Sequence, residues 1–285
     1  MELDGRTVHR ESDSFFDEES ADTLYTSSDG VKFKLRSEHI RVNAPRLPIP
    51  SRLDEKPTGM EVSLALEESS EVLDDLFQFV QPPSETRRRR ERPALYNEKY
   101  QGPALFQLVE AAEKYAVFGA IDVCLFRLEQ LVQQRKHLLE IINLSDKYGY
   151  TSILDTAAEL ALNLPLDTNM LETFETPGLL QRFILYRSQW TSTRDKALEV
   201  FANSVCHVAP ITSDGFDNVC PTYRKRKLIY MSLVAEDIKN AAKSPESMHL
   251  VCQTPGRGCN SDFRNLVAVV NAHNELVRRL SEFVL

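Results

Sequence analysis

The chain has 285 residues, 42% hydrophobic and 27% charged, the make-up of a globular protein of one large domain or two ordinary ones. That composition excludes global disorder, a collagen-like repeat and a disulfide-stapled miniprotein. The net charge of −8 is concentrated at the start: residues 1–29 hold nine Asp/Glu against two Arg, which leaves −1 for the other 256 residues, a balance that argues against a broad nucleic-acid-binding face.

Residues 1–19 read as an acidic, Ser-rich flexible tail carrying Phe15 and Phe16 without a sustained period. ADTLYTSSDGVKFKL then predicts two short strands, Leu24 and Thr26 alternating before a turn and Val31, Phe33 and Leu35 after it. Ser28-Asp29-Gly30 supplies the residues of a hairpin turn. A short helix is expected from Ser37, read as its N-cap, to Val42, and four prolines within 43–59 rule out a regular helix there. Met60, Val62, Leu64 and Leu66 alternate as a third strand. Val72, Leu73, Leu76, Phe77 and Val80 then share one face of a helix that Pro82-Pro83 ends.

A polar, Arg-rich loop occupies 84–103, and everything after it is helical in period. The stripes are Leu105/Leu108/Val109/Ala112, Ile121/Leu125/Leu128/Val132, Leu138/Ile141/Ile142/Ser145 and Ile153/Ala157/Leu160/Ala161, with Gly149 placed as a helix-terminating residue. Further stripes are Leu180/Phe183/Ile184, Ala197/Leu198/Phe201/Val205 and Leu228/Met231/Ala235/Ile238, then a long last helix from Phe263 to Val284. In that helix Phe263, Val270, Val277 and Val284 form an apparent heptad with Leu266, His273 and Leu280, but flanking apolar residues widen the stripe beyond a coiled-coil seam. The fold class expected is α+β, a head with a short three-stranded sheet and packed helices followed by an all-α C-terminal region.

The acidic N-terminus has no apolar h-region, which predicts neither a secretory signal nor a transit peptide. The longest aliphatic run, Leu266–Val270, is far short of the roughly 20 residues of a membrane-spanning helix. Five scattered cysteines predict reduced thiols. The expectation is a soluble protein of the nucleus or cytoplasm with no membrane partner.

Four segments carry a family resemblance. SADTLYTSSDGVKFKLRSEHI resembles the opening of a BTB/POZ domain, in which an Asp precedes the first strand and a turn Gly leads into a hydrophobic strand and helix. SSEVLDDLFQFVQPPSE is similar to the amphipathic helix that such domains place before a proline-containing loop. ALFQLVEAAEKYAVFGAIDVCLFRLEQ, the most specific piece, resembles the closing helical hairpin, where a Leu-rich helix ends in an Ala-x-x-Tyr-type turn and feeds a helix bearing a Cys. HLLEIINLSDKYGYTSILDTAAELAL is similar to the helices that trail BTB domains, and the arrangement as a whole resembles fungal BTB proteins with a BACK-like extension. The resemblance covers about residues 20–164 and implies a BTB/POZ-like domain at 20–135, a BACK-like extension at 136–200 and a further helical region at 201–285. Arg36-Ser37 stands where the family has His-Arg, and RVNAPRLPIPSR replaces a Ser-x-x-Phe helix in a stretch that contributes to the family's dimer surface.

That resemblance implies a non-enzymatic interaction module or scaffold whose partners are proteins, a second copy of the chain among them. Asp22 and Arg36 are the partner-contact candidates that follow from it. Leu53-Asp54-Glu55 is a hydrophobic-x-acid tripeptide of the kind with which cullin-recruiting BTB domains dock, so Leu53 and Glu55 raise the alternative of a ubiquitin-ligase substrate adapter. A second alternative, a nuclear regulator associated with transcription, rests on two basic runs: Arg87, Arg88, Arg89, Arg90 and Arg92 in the loop, and Arg224, Lys225, Arg226 and Lys227 at the start of a later helix. Such runs read as nuclear-import signals, phosphate-contacting patches or plain solvated surface. No aromatic residues interleave with the arginine loop to stack bases, which argues against direct single-strand recognition.

Signatures of catalysis are missing from the sequence: no dinucleotide fingerprint, P-loop, HExxH helix or GxSxG elbow occurs. Cys206, His207, Cys220, His249, Cys252 and Cys259 cluster in the C-terminal third and are the metal candidates. The closest cysteine pair, Cys252 and Cys259, has six residues between, too many for a structural zinc knuckle, so packing cysteines and no cofactor are expected.

Overall fold

Gly30 takes φ +84°, a conformation open to glycine, and turns strand β1 (Thr23–Thr26) back on β2 (Lys32–Leu35) as an antiparallel hairpin. The computed structural model describes residues 10–12, 15, 21–49, 63–81, 102–165, 168–203 and 279–282. β3 (Ser63–Ala65) lies parallel to β1, with Tyr25 beside Leu64, so the sheet order is β2-β1-β3. Met60 and Val62 of the expected third strand fall outside the described residues. The protein is mixed α+β and mostly helical, with eight α-helices beside this sheet among the described residues. It divides into two units, Met1–His137 and Leu138–Leu285.

In the first unit β1 is buried on both faces. Thr23, Leu24 and Tyr25 are all buried in succession, and consecutive strand residues point to opposite sides. The expected Leu24/Thr26 face is therefore corrected: as the central strand, β1 puts Tyr25 into the core as completely as any residue. On β2, Phe33 and Leu35 face inward as the alternation predicts.

Helix α1 (Ser37–Asn43) follows, and α2 (Ser70–Val80) buries Val72, Leu73, Leu76, Phe77 and Val80, the stripe read from the sequence. Phe77 is the hub of the core. Its ring stands 5.3 Å from Phe33 in an edge-on contact, 5.9 Å from Tyr25 and 6.0 Å from Phe15, again edge-on. Offset and edge-to-face aromatic pairs add stabilisation beyond the area they bury.

Phe15 was expected in a flexible tail, yet it is buried. Residues 10–12 and Phe15 lie along the outer side of β2: the Lys32 N–H donates to Arg10 O at 2.9 Å, the Ser12 N–H to Lys32 O at 2.9 Å and the Lys34 N–H to Phe15 O at 2.7 Å. This segment covers what would otherwise be an open sheet edge, a physical reason for it to order. The tail expected over 1–19 is therefore corrected at these residues.

The first unit closes with α3 (Pro103–Tyr115) and α4 (Phe118–Gln133), packed together and, through α3, on α2. Pro103 sits at the helix start, where its missing N–H costs nothing. Between the helices Ala116 adopts φ +56° and the Val117 N–H donates to Ala112 O at 2.9 Å, so the Ala112-x-x-Tyr115 turn is a six-to-one helix stop. The buried face of α4 is Ala120, Cys124, Leu128, Leu131 and Val132, turned from the expected stripe so that Ile121 and Leu125 are only half-buried.

In the second unit α5 (Leu138–Tyr148) and α6 (Thr151–Ala161) form a hairpin through Gly149 at φ +76°, with the Tyr150 N–H on Ser145 O at 2.8 Å. Asn143, buried on α5, donates from Nδ2 to Thr173 O at 2.6 Å, which ties α5 to the end of α7 (Thr168–Thr173). The stripe expected at Leu180/Phe183/Ile184 and positions 197, 198 and 201 of the next belong to one continuous helix, α8 (Pro177–Asn203), while Val205 lies outside the described residues. Its buried face near the start is Leu179, Phe183 and Tyr186, while Ile184 is exposed; the ladder Phe174–Phe183–Tyr186–Trp190 sets that register. Only 279–282 of the long last helix expected from Phe263 lies within the described residues, and it holds a short 3-10 turn, Leu280–Glu282, not α-helix. The Ser281 N–H and hydroxyl of this turn both donate to the Asp155 carboxylate.

Truncating the hub should test the core directly. Phe77→Ala is expected to cost about 3–5 kcal/mol in urea unfolding, measured by the shift in midpoint at unchanged slope.

Candidate protein-interaction surface

Of the residues that sequence singled out, Asp22 and Arg36 fall within the described structure, and they lie next to one another at the junction of the sheet with α1. The Asp22 carboxylate accepts the Ser37 N–H at 2.7 Å, the Ser37 hydroxyl at 2.6 Å and the Thr23 hydroxyl at 3.2 Å. Burial alone would raise this carboxyl, but the Ser37 and Thr23 bonds outweigh it and hold it below its ordinary value. Ser37 is thus the first residue of α1, capped from the strand by Asp22, and not itself the N-cap. Arg36 precedes the helix; its N–H donates to Gln81 Oε1 at 3.0 Å and its guanidinium lies 4.0 Å from the Glu38 carboxylate.

The same device recurs one turn of chain later. Asp29, in the hairpin turn, accepts the Ser70 N–H at 2.8 Å and the Ser70 hydroxyl at 2.6 Å, and those bonds hold its carboxyl low against a smaller opposing effect of burial. Both aspartates place negative charge at a helix start, where unpaired N–H groups and the helix dipole favour it. A third polar tie joins α3 to the entry of α2. Glu68 accepts the Tyr115 hydroxyl at 2.6 Å and the Lys114 ammonium at 2.8 Å, and Lys114 also reaches Glu67 at 2.9 Å. Burial works to raise Glu68, and its bonds to Lys114 and Tyr115 outweigh that. Two further bonds, Tyr25 hydroxyl to Pro48 O at 2.9 Å and Asn43 Nδ2 to Val80 O at 2.8 Å, hold the proline-rich stretch and the end of α1 against the core.

Beside exposed charged residues, the described part of the first unit also presents large apolar side chains to the outside. Val42 near the end of α1 is 75% exposed, and on α4 Phe118 is 64% and Phe126 49% exposed. The two phenylalanines are eight residues apart, about 12 Å along the helix at 1.5 Å per residue, on the side opposite Cys124 and Leu128. Asp122 and Glu129 share that outer ridge. Sequence reading passed over this ridge, although its signal was there: Phe118 and Phe126 are large apolar residues that fit neither the expected stripe nor the observed one. Among the described residues of the second unit, Leu171, Ile184 and Leu185 are exposed large apolar residues.

Leu53, Glu55, both basic runs (Arg87, Arg88, Arg89, Arg90, Arg92 and Arg224, Lys225, Arg226, Lys227) and the metal candidates Cys206, Cys220, Cys252 and Cys259 lie outside the described residues. Among the described residues no group of three or more His, Cys, Asp or Glu side chains is placed to hold a metal ion. Cys124 is buried, which pushes its thiol up to about 12 and removes the thiolate that nucleophilic chemistry needs. No helix of the described residues is long and apolar enough to cross a membrane. Comparison with protein-family models, curated proteins and solved structures finds no match to this chain.

The Asp–Ser caps carry a pH signature. Carboxyls held low in the fold contribute stability above their unfolded value of about 3.9, and that contribution is lost as pH falls through the lower folded value. Asp29→Ala is expected to cost about 0.5–2 kcal/mol at pH 7, with the gap to wild type narrowing below about pH 4, read from urea midpoints across a pH series.

Proposed function

We propose that the protein is a protein–protein interaction module of the BTB/POZ type, a non-enzymatic scaffold that associates with a second copy of itself. The observation that carries this reading is the order and pairing of elements in the first unit. A hairpin is followed by a short helix, then by a third strand parallel to the first, an amphipathic helix and a closing helical hairpin. That is the order in which the quoted segments resemble the family, and the pairing of β3 with β1 is a tertiary feature that no local sequence pattern encodes.

The surface supports the same reading. Polar groups at the sheet–helix junctions are consumed by the fold, so specificity rests on exposed apolar side chains with polar neighbours, the usual anatomy of an interface. Val42 lies within the stretch that contributes to the family's dimer surface, and it is the most exposed large apolar residue described. The Phe118/Phe126 ridge on α4 is a separate surface, open to a client while copies associate through α1.

Solution mass by light scattering over a concentration series of the full chain tests this. The expected result is a mass that rises from monomer to dimer with concentration, and a return to monomer for Val42→Glu, whose thermal midpoint matches that of the wild type at dilutions where the wild type is monomeric. A wild-type mass that stays monomeric at every concentration would overturn self-association.

A further inference from the structure

In the second unit the run Arg278-Arg279-Leu280-Ser281 puts two guanidinium groups at the third and second positions before a hydroxyl. That hydroxyl has a defined place. Ser281 Oγ donates to Asp155 Oδ2 at 2.8 Å and its N–H to Asp155 Oδ1 at 2.9 Å, so a carboxylate on α6 clasps the turn. Leu280 beside it is fully buried, Ser281 is half-buried and Arg279 is exposed. Glu282 closes the turn by accepting the Arg279 N–H at 3.2 Å.

We propose that Ser281 is a phosphorylation site for a protein kinase whose substrate groove is acidic, and that the phosphate releases this turn from α6. Kinases choose among substrates by charge patterns of this kind. Among the described residues two other serines make the same clasp with an aspartate, yet neither has the pair of arginines: Ser37 is preceded by Lys34 and Leu35 at those positions, and Ser70 by Glu67 and Glu68. In the transfer the bond between the γ-phosphorus of ATP and its bridging oxygen breaks, a bond from that phosphorus to Ser281 Oγ forms, ADP leaves and the hydroxyl proton passes to solvent.

The consequence follows from charge. Ser281 Oγ now donates its proton to Asp155; the phosphoserine has no such proton to give and brings about −1.5 to −2 of charge at pH 7 against that carboxylate. Glu282 adds a further negative group in the same turn. A phosphate beside Asp or Glu disrupts by repulsion and by the cost of desolvating it, so the clasp becomes a repulsive pair and Leu280 is drawn out. Nothing in this step depends on whether the first unit self-associates.

The test uses the full chain with ATP and an arginine-directed kinase catalytic subunit, with sites mapped by mass spectrometry and opening read by amide hydrogen exchange over 279–282. Wild type should gain one phosphate at Ser281 and lose protection in the turn. Asp155→Asn, which removes the charge that holds the hydroxyl, should be modified about tenfold faster, the factor for losing one charge-assisted hydrogen bond, and Arg279→Gln should be modified more slowly. Ser281→Glu should show the open turn without any kinase, and it separates release from modification. An intact chain left unmodified while a peptide of residues 275–285 is phosphorylated under the same conditions would overturn the site. Protection in both the phosphorylated chain and Ser281→Glu equal to that of the unmodified protein would overturn the release.

Discussion

The geometry of the first unit depends on two aspartates that bracket one strand. Asp22 stands just before β1 and Asp29 just after it, and each carboxylate takes both the N–H and the hydroxyl of the serine that opens a helix, Ser37 for α1 and Ser70 for α2. The residues that immediately precede these helices, Arg36 and Ser69, make no side-chain cap of their own. A helix start leaves several N–H groups without partners, and a negative group there also meets the positive end of the dipole. By supplying the caps from the strand, the hairpin dictates where both helices begin and how they sit over the sheet. A three-stranded sheet of such short strands would be a weak platform without that anchoring.

Once the helices are placed, Phe77 can gather Phe15, Tyr25 and Phe33 around one point, and the polar ties between Glu68, Lys114 and Tyr115 bring α3 against the same layer. The functional reading grows out of what this arrangement leaves over. Charged and hydroxyl groups near the sheet are spent on the fold, and large apolar side chains on α1 and α4 are not. Those exposed apolar side chains, with Asp122 and Glu129 beside them on α4, are what the proposed interaction role rests on. The clasp between Asp155 and Ser281 repeats the Asp–Ser device in the second unit, there at a turn bordered by arginines.

Much of the architecture was legible in the sequence because the relevant signals are local. The period of Val72, Leu73, Leu76, Phe77 and Val80 marked one face of α2; Ser28-Asp29-Gly30 marked the hairpin; Gly149 marked the end of α5. Other features were not legible, for identifiable reasons. Phe15 lies in an acidic stretch with no period, and it orders only because the edge of β2 and the Phe77 cluster exist elsewhere to receive it. The inner face of α4 could not be told from neighbouring apolar positions, since Ile121 and Leu125 fit a helical stripe as well as Ala120 and Cys124 do. Small residues face inward there because the helix packs closely on α3. On α8 polar residues between two apolar stripes suggested a break that a continuous helix does not need. Of the candidate surface, Val42, Phe118 and Phe126 were visible only as apolar residues, and their exposure is a property of packing.

By itself, the sequence determined the class of fold, the positions of most of the described helices and the hairpin, because side-chain period and turn chemistry act over a few residues. Tertiary structure alone decided which helix each aspartate caps, that β3 runs parallel beside β1, that residues 10–12 and Phe15 lie against β2 and which apolar side chains remain outside. Those outcomes depend on groups brought together from tens of residues apart. Whether such a group is buried, bonded or left in water is settled only when every neighbouring element has taken its place.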